Sequence, residues 1–132
     1  MGQVIITVTV ANWVDRIMAE RKFIPAEDVR SVTLDNVLVD TGATLLCLPA
    51  PIIQQLGLVQ DGSTGVETTA GEVEGRIFRY VDLCIAERRG RFVCLELTAV
   101  DYALLGVTPM EALGLEPSLR DGTLRILPID ND

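Results

Sequence analysis

The sequence predicts an all-β chain, rolled or closed into a barrel, with two short helices. Three observations point there. Short apolar stretches with strand character recur from Val4 to Ile129, separated by turns that carry glycine. Only two segments carry clear helix punctuation, a proline near the start and a glycine at the stop. Apolar residues make up 48% of the 132, enough for a core without disulfide or metal support. The length fits one domain over 1–132, with no repeat, linker or low-complexity tract.

The elements follow in order. Val4, Ile6, Val8 and Val10 alternate onto one face and predict a strand. Asn12 to Asp15 reads as the start of a loop, and Arg16 to Lys22 as a helical turn. Val29–Leu34 and Asn36–Val39 read as two strands with a tight turn at Asp35-Asn36. Leu48-Pro49-Ala50-Pro51 opens the first helix, with Pro51 at a first helical position, and Gly57 stops it. A hairpin spans Gly65 to about Ile85, turning at Thr69-Ala70-Gly71. A second hairpin turns at Arg88-Arg89-Gly90 and returns as Phe92–Val100. Thr108-Pro109-Met110-Glu111 reads as a capping box with proline first, and that helix stops at Gly114. Leu124–Ile129 is the last strand.

Composition excludes several classes of function. There are 11 basic and 19 acidic residues, a net charge of −8, which argues against nucleic acid as a partner. No apolar run approaches the roughly 20 residues that span a bilayer, so no membrane is expected. The N-terminal strand pattern lacks a basic leader, and Cys47, Cys84 and Cys94 have no CxxC spacing. A reducing, cytoplasmic location is the expectation. The absence of histidine removes Ser-His and Cys-His machinery and most zinc sites.

One motif carries chemistry. Val37-Leu38-Val39 runs into Asp40-Thr41-Gly42-Ala43-Thr44. A carboxylate at the end of an apolar strand is costly and asks for a reason. Thr41 offers a hydroxyl, Gly42 lets the backbone turn and another chain approach, and Thr44 can donate to a neighbouring carboxylate or carbonyl. One Asp cannot supply both a general base and a general acid, whereas two sharing a proton can. The motif occurs once, so the chemistry asks for a symmetric dimer.

Val37 to Pro49 resembles the active-site segment of retropepsin-type aspartic proteases, the small single-domain bacterial members in particular. Ile53 to Leu58 is similar to the helix that follows there. Leu104-Leu105-Gly106 with Met110 to Leu115 is similar to the family's second apolar-apolar-Gly motif and its C-terminal helix. The Gly65–Ile85 hairpin stands where the flap would be. With the flanking strands the resemblance covers about 4–128. It implies a retropepsin-like closed barrel, an acid-protease fold, active as a homodimer. Asp40 from each subunit would be catalytic across the two-fold axis. Thr41 would bond into the partner's loop, and Leu104, Leu105 and Gly106 would pack behind the catalytic loop. Flap residues Thr68, Thr69, Ala70 and Gly71 would cover an extended peptide or protein substrate. No metal or cofactor is implied. The proposed tip has no aromatic residue and a single glycine, and residues 13–26 match no motif.

Blander readings stand beside these. Asp40 can cap a turn through its own side chain. Cys47 beside the motif reads as a buried apolar thiol rather than a redox switch. Glu87-Arg88-Arg89-Gly90-Arg91 reads as a solvated turn rather than a recognition patch. Asp121-Gly122-Thr123 is a turn, and no phosphate-binding Gly-x-x-x-x-Gly-Lys loop is present. The rival function is a non-catalytic dimerisation or peptide-binding module on the same fold.

Overall fold

The computed structural model describes residues 3–128. Among these residues nine strands form: β1 Ile5–Asn12, β2 Ser31–Val39, β3 Leu46–Pro49, β4 Val59–Thr68, β5 Gly71–Ile85, β6 Arg88–Leu97, β7 Leu104–Leu105, β8 Leu115–Ser118 and β9 Thr123–Ile126. Three α-helices accompany them, α1 Trp13–Glu20, α2 Ala50–Leu56 and α3 Val107–Leu113, with a single 3₁₀ turn at Ala26–Asp28. The third helix corrects the expectation of two. None is long and apolar enough to cross a membrane among the described residues.

Seven strands make one sheet in the order β1-β2-β7-β3-β6-β5-β4, and β1 also pairs with β5. The sheet therefore rolls back on itself, although it is not a formally closed barrel. Strands β8 and β9 form a separate antiparallel pair. The core lies inside the roll. Val8, Val10, Val37, Leu46, Leu48, Val81, Leu83 and Leu105 are buried there, under Ile53 and Leu56 of α2 and Met110 and Leu113 of α3. Val4, Val8 and Val10 point inward and Ile5 is exposed, as the period-two pattern requires.

Several boundaries differ from the sequence expectation for identifiable reasons. Asp35-Asn36 is no turn: β2 runs through it from Ser31 to Val39, and the pair forms a bulge where the register with β1 shifts between Ile6–Val37 and Val8–Leu34. Pairing with β1 on both sides of the bulge holds the chain extended, so the local turn preference of Asp-Asn ends as one extra residue in the strand rather than a reversal. The second hairpin turns at Ala86-Glu87, both at positive φ (49° and 69°), and Arg88 already pairs with Ile85. Two residues at positive φ are what a tight hairpin of matching twist needs. Gly90 serves packing instead, since a Cβ there would lie 2.8 Å from the Phe92 ring. The final strand ends at Ile126, and Ile129 lies outside the described residues.

Helix α1 begins where a loop start was expected. Asn12, buried at the end of β1, caps it by accepting from the Asp15 backbone N–H (3.0 Å). The same side chain donates to the Leu56 carbonyl (2.8 Å), joining the start of α1 to the end of α2. Arg16 of α1 and Arg89 of β6 both reach the Asp82 carboxylate (3.2 and 2.7 Å), which is largely buried on β5. Helix α1 thus lies against the sheet through polar ties and the Trp13–Tyr80 edge contact, with none of its residues fully buried.

Candidate active site

The β2–β3 connection owes its shape to β7. This two-residue strand lies between β2, to which it is parallel, and β3, to which it is antiparallel. The chain leaving β2 must pass round the end of β7 before it can enter β3. Residues 40–45 make that passage, and Asp40 is the first of them.

Asp40 is held at three points. Its N–H donates to the Leu105 carbonyl (3.0 Å), and its own carbonyl accepts from Ala43 N–H (3.1 Å). Its carboxylate Oδ1 accepts from Gly42 N–H (2.8 Å). That last bond is the local side-chain turn of the blander reading, and it also fixes the rotamer. The other carboxylate oxygen has no protein partner among the described residues. The side chain is half-buried, so this oxygen is open to a ligand.

Gly106 sets the depth of the passage. A Cβ there would lie 2.5 Å from the Leu45 carbonyl oxygen, 2.7 Å from Thr44 C and 2.8 Å from the Ala43 oxygen. All three are backbone atoms, and Gly106 has an ordinary φ of −89°, so space rather than conformation demands glycine. The next two amides lock the loop. Val107 N–H donates to the Ala43 carbonyl and Thr108 N–H to the Thr44 carbonyl, both at 2.9 Å. The expected capping box is therefore absent. Gly106 caps α3 without a side-chain bond, and the first two amides of the helix, those of Val107 and Thr108, donate to the loop carbonyls instead of to a capping side chain. Pro109 sits two positions later than expected, still in the first turn, where a missing N–H costs little.

The remaining predicted residues fall in two places. Thr41 and Thr44 are exposed, and neither hydroxyl has a protein partner among the described residues. Thr41 borders a cavity of about 440 Å³ that is also lined by Val107, Met110, Gly114, Leu115 and Leu127. Thr68, Thr69, Ala70 and Gly71 lie at the tip of the β4–β5 arm, away from this loop in sequence and in pairing. Thr68 pairs with Gly71 across a two-residue turn, and Gly71 has φ +105°. Thr68 Oγ1 donates to the Gly71 carbonyl (2.6 Å) and accepts from Ala70 N–H (3.2 Å), which stiffens the tip. A cavity of about 560 Å³ lies between the arm and β6, lined by Val66, Val73, Leu95 and Leu97 and walled by the Arg76–Glu96 ion pair. Asp40 does not line it.

Cys47 and Cys94 are buried on the adjacent strands β3 and β6. Burial, helped by the negative charge of Asp40, pushes the Cys47 thiol up to about 11. Burial likewise pushes Cys94 up to about 12. At neutral pH both are protonated apolar fillers.

The family model for aspartyl proteases matches residues 27–116. That stretch holds Asp40, the β4–β5 arm and the Gly106 motif. Among solved structures, EIAV protease complexed with the inhibitor HBY-793 matches with a TM-score of 0.52 and 26% identity, over 66% of this chain and 83% of that one. No curated protein matches the sequence. Helix α1 lies outside the family match and belongs to the part of the chain whose motif the sequence left unassigned. The fold is retropepsin-like, and the chain belongs to the aspartyl protease family.

Proposed function

We propose that the protein is an aspartic endopeptidase that works as a homodimer, with one Asp40 from each subunit forming the catalytic pair. The observation that carries this reading is the single half-buried Asp40, fixed through its backbone and one oxygen and left open at the other, in a chain of this family. A lone carboxylate of this kind is half of a site. Two brought to about 3 Å share one proton, because both cannot ionise at that distance. The ionised member takes a proton from a water held between them, and the water oxygen attacks the peptide carbonyl carbon. The protonated member donates to the carbonyl oxygen as it becomes tetrahedral. Collapse of that intermediate breaks the C–N bond, and the leaving amine takes a proton from the pair. The exposed Thr41 would meet its counterpart near the axis, and an extended substrate would lie under the β4–β5 arms.

Asp40→Asn is nearly isosteric and keeps an oxygen for the Gly42 amide. The expected outcome is loss of peptide cleavage with the fold and dimer retained, read by fluorescent casein hydrolysis and by sedimentation. Wild-type protein should also associate more tightly in the presence of a statine-type inhibitor. Full activity in purified Asp40→Asn would refute the mechanism. Inhibitor-stabilised dimers that never cut would favour the peptide-binding module, for which the Asp40–Gly42 turn bond is a sufficient role.

A further inference from the structure

We propose that Arg88 is a positioning residue that fixes the Asp40 loop from the far end of α3, an inference that rests on the proteolytic reading of that loop. Arg88 begins β6, immediately after the Ala86-Glu87 turn, in the segment whose sequence reads as a solvated basic turn. Its side chain is instead partly buried. The guanidinium Nη1 donates to the carbonyls of Leu113 (2.9 Å) and Gly114 (3.1 Å), and Nη2 donates to the Leu127 carbonyl. Leu113 and Gly114 end α3, where carbonyls lack helical partners and the helix dipole is negative. A planar cation with several donors suits that end well. Gly114 is glycine because it stops the helix in the left-handed region (φ 69°), and its missing Cβ also leaves room for Nη1, which would lie 2.6 Å from one.

The opposite end of the same seven-residue helix holds the carbonyls of Ala43 and Thr44. Pro109, Met110 and Leu113 seat the helix in the core, so it moves as one body. Fixing its C-terminal end therefore fixes the amides that hold the loop. Arg88 also sets the other wall of the Thr41 cavity. Leu127 N–H donates to Gly114 O (2.9 Å), and both residues line that cavity together with Thr41. One guanidinium thus governs the loop carrying Asp40 and the surface that Thr41 faces.

The test uses the full chain and two readouts, amide hydrogen exchange and cleavage of fluorescent casein. In Arg88→Ala, protection of the Val107 and Thr108 amides should fall about tenfold or more, with the β1–β2 ladder unchanged. The kcat for casein should fall about tenfold to a hundredfold, with KM within about twofold. Arg88→Lys, which keeps the charge but not the fork, should recover part of both. Arg88→Met, which keeps the partly buried stem and removes the guanidinium, should reproduce the loss, which keeps the proposal testable if Arg88→Ala does not fold. Unchanged protection at Val107 and Thr108, or an equal loss along every strand, would overturn the proposal. If the wild type leaves casein intact while the amide pattern follows the prediction, the proteolytic reading fails and the positioning role stands.

Discussion

Replacing Gly106 with alanine isolates the steric lock behind Asp40. The added methyl would sit 2.5–2.8 Å from three backbone atoms of residues 43–45, whereas real Cβ atoms keep at least 3.0 Å. The loop must therefore retreat by about half an ångström. No flexible side chain is available to yield. Retreat stretches the bonds from Val107 and Thr108, each 2.9 Å long now and each contributing about 1 kcal/mol net. Overpacking adds about 1–3 kcal/mol. The expected loss is about 3–5 kcal/mol, a large part of the roughly 5–15 kcal/mol that holds a domain. Urea unfolding measures it, with casein cleavage in parallel. Gly62→Ala is the control, because Gly62 has φ +98° and open space around it. It should lose only about 1–2 kcal/mol, through backbone strain, and keep activity. A Gly106→Ala protein as stable as Gly62→Ala, with Val107 and Thr108 still protected from exchange, would refute the steric argument.

Two other outcomes follow from local geometry. Lys22 follows α1 in the left-handed region (φ 65°), with its N–H on the Ala19 carbonyl and the Phe23 N–H on Met18. Glycine is the natural occupant of that helix stop, so Lys22→Gly should stabilise the protein by about 1 kcal/mol, and a lower melting temperature would contradict this. The buried thiols predict alkaline weakening. Their folded pKa values of about 11 and about 12 lie above the unfolded value of about 8.5, so the unfolded chain sheds its protons first. Stability should be intact below about pH 8.5 and fall between there and pH 11, by up to about 1.4 kcal/mol per unit per thiol. A Cys47→Ala/Cys94→Ala double variant with the same pH slope in urea midpoints would count against that assignment.

The sequence carried the elements whose signals are local. Alternation in Val4–Val10 placed β1, and Pro51 with Gly57 bounded α2, because side-chain period, fixed proline φ and left-handed glycine act within a few residues. It read only a helical turn at Arg16–Lys22 and a loop start at Asn12–Asp15, where α1 in fact begins, because the cap is a buried Asn12 tied to Leu56, a partner 44 residues away. It placed a turn at Asp35-Asn36 because the pairing with β1 on either side, which makes the pair a bulge instead, is not local.

The candidate site divides along the same line. By itself the sequence determined that a carboxylate, a hydroxyl and a glycine end an apolar strand, and that a second apolar-apolar-Gly motif follows in the order this family uses. Only the tertiary structure decided how they are held. Gly106 is glycine because backbone of residues 43–45 passes within reach of its missing Cβ. Thr108 serves the loop rather than its own helix, and Arg88 leaves the solvent to hold the end of α3. Each of these roles depends on which distant backbone atom arrives alongside. That is fixed when the sheet rolls and β7 inserts between β2 and β3, and no window of neighbouring residues contains it.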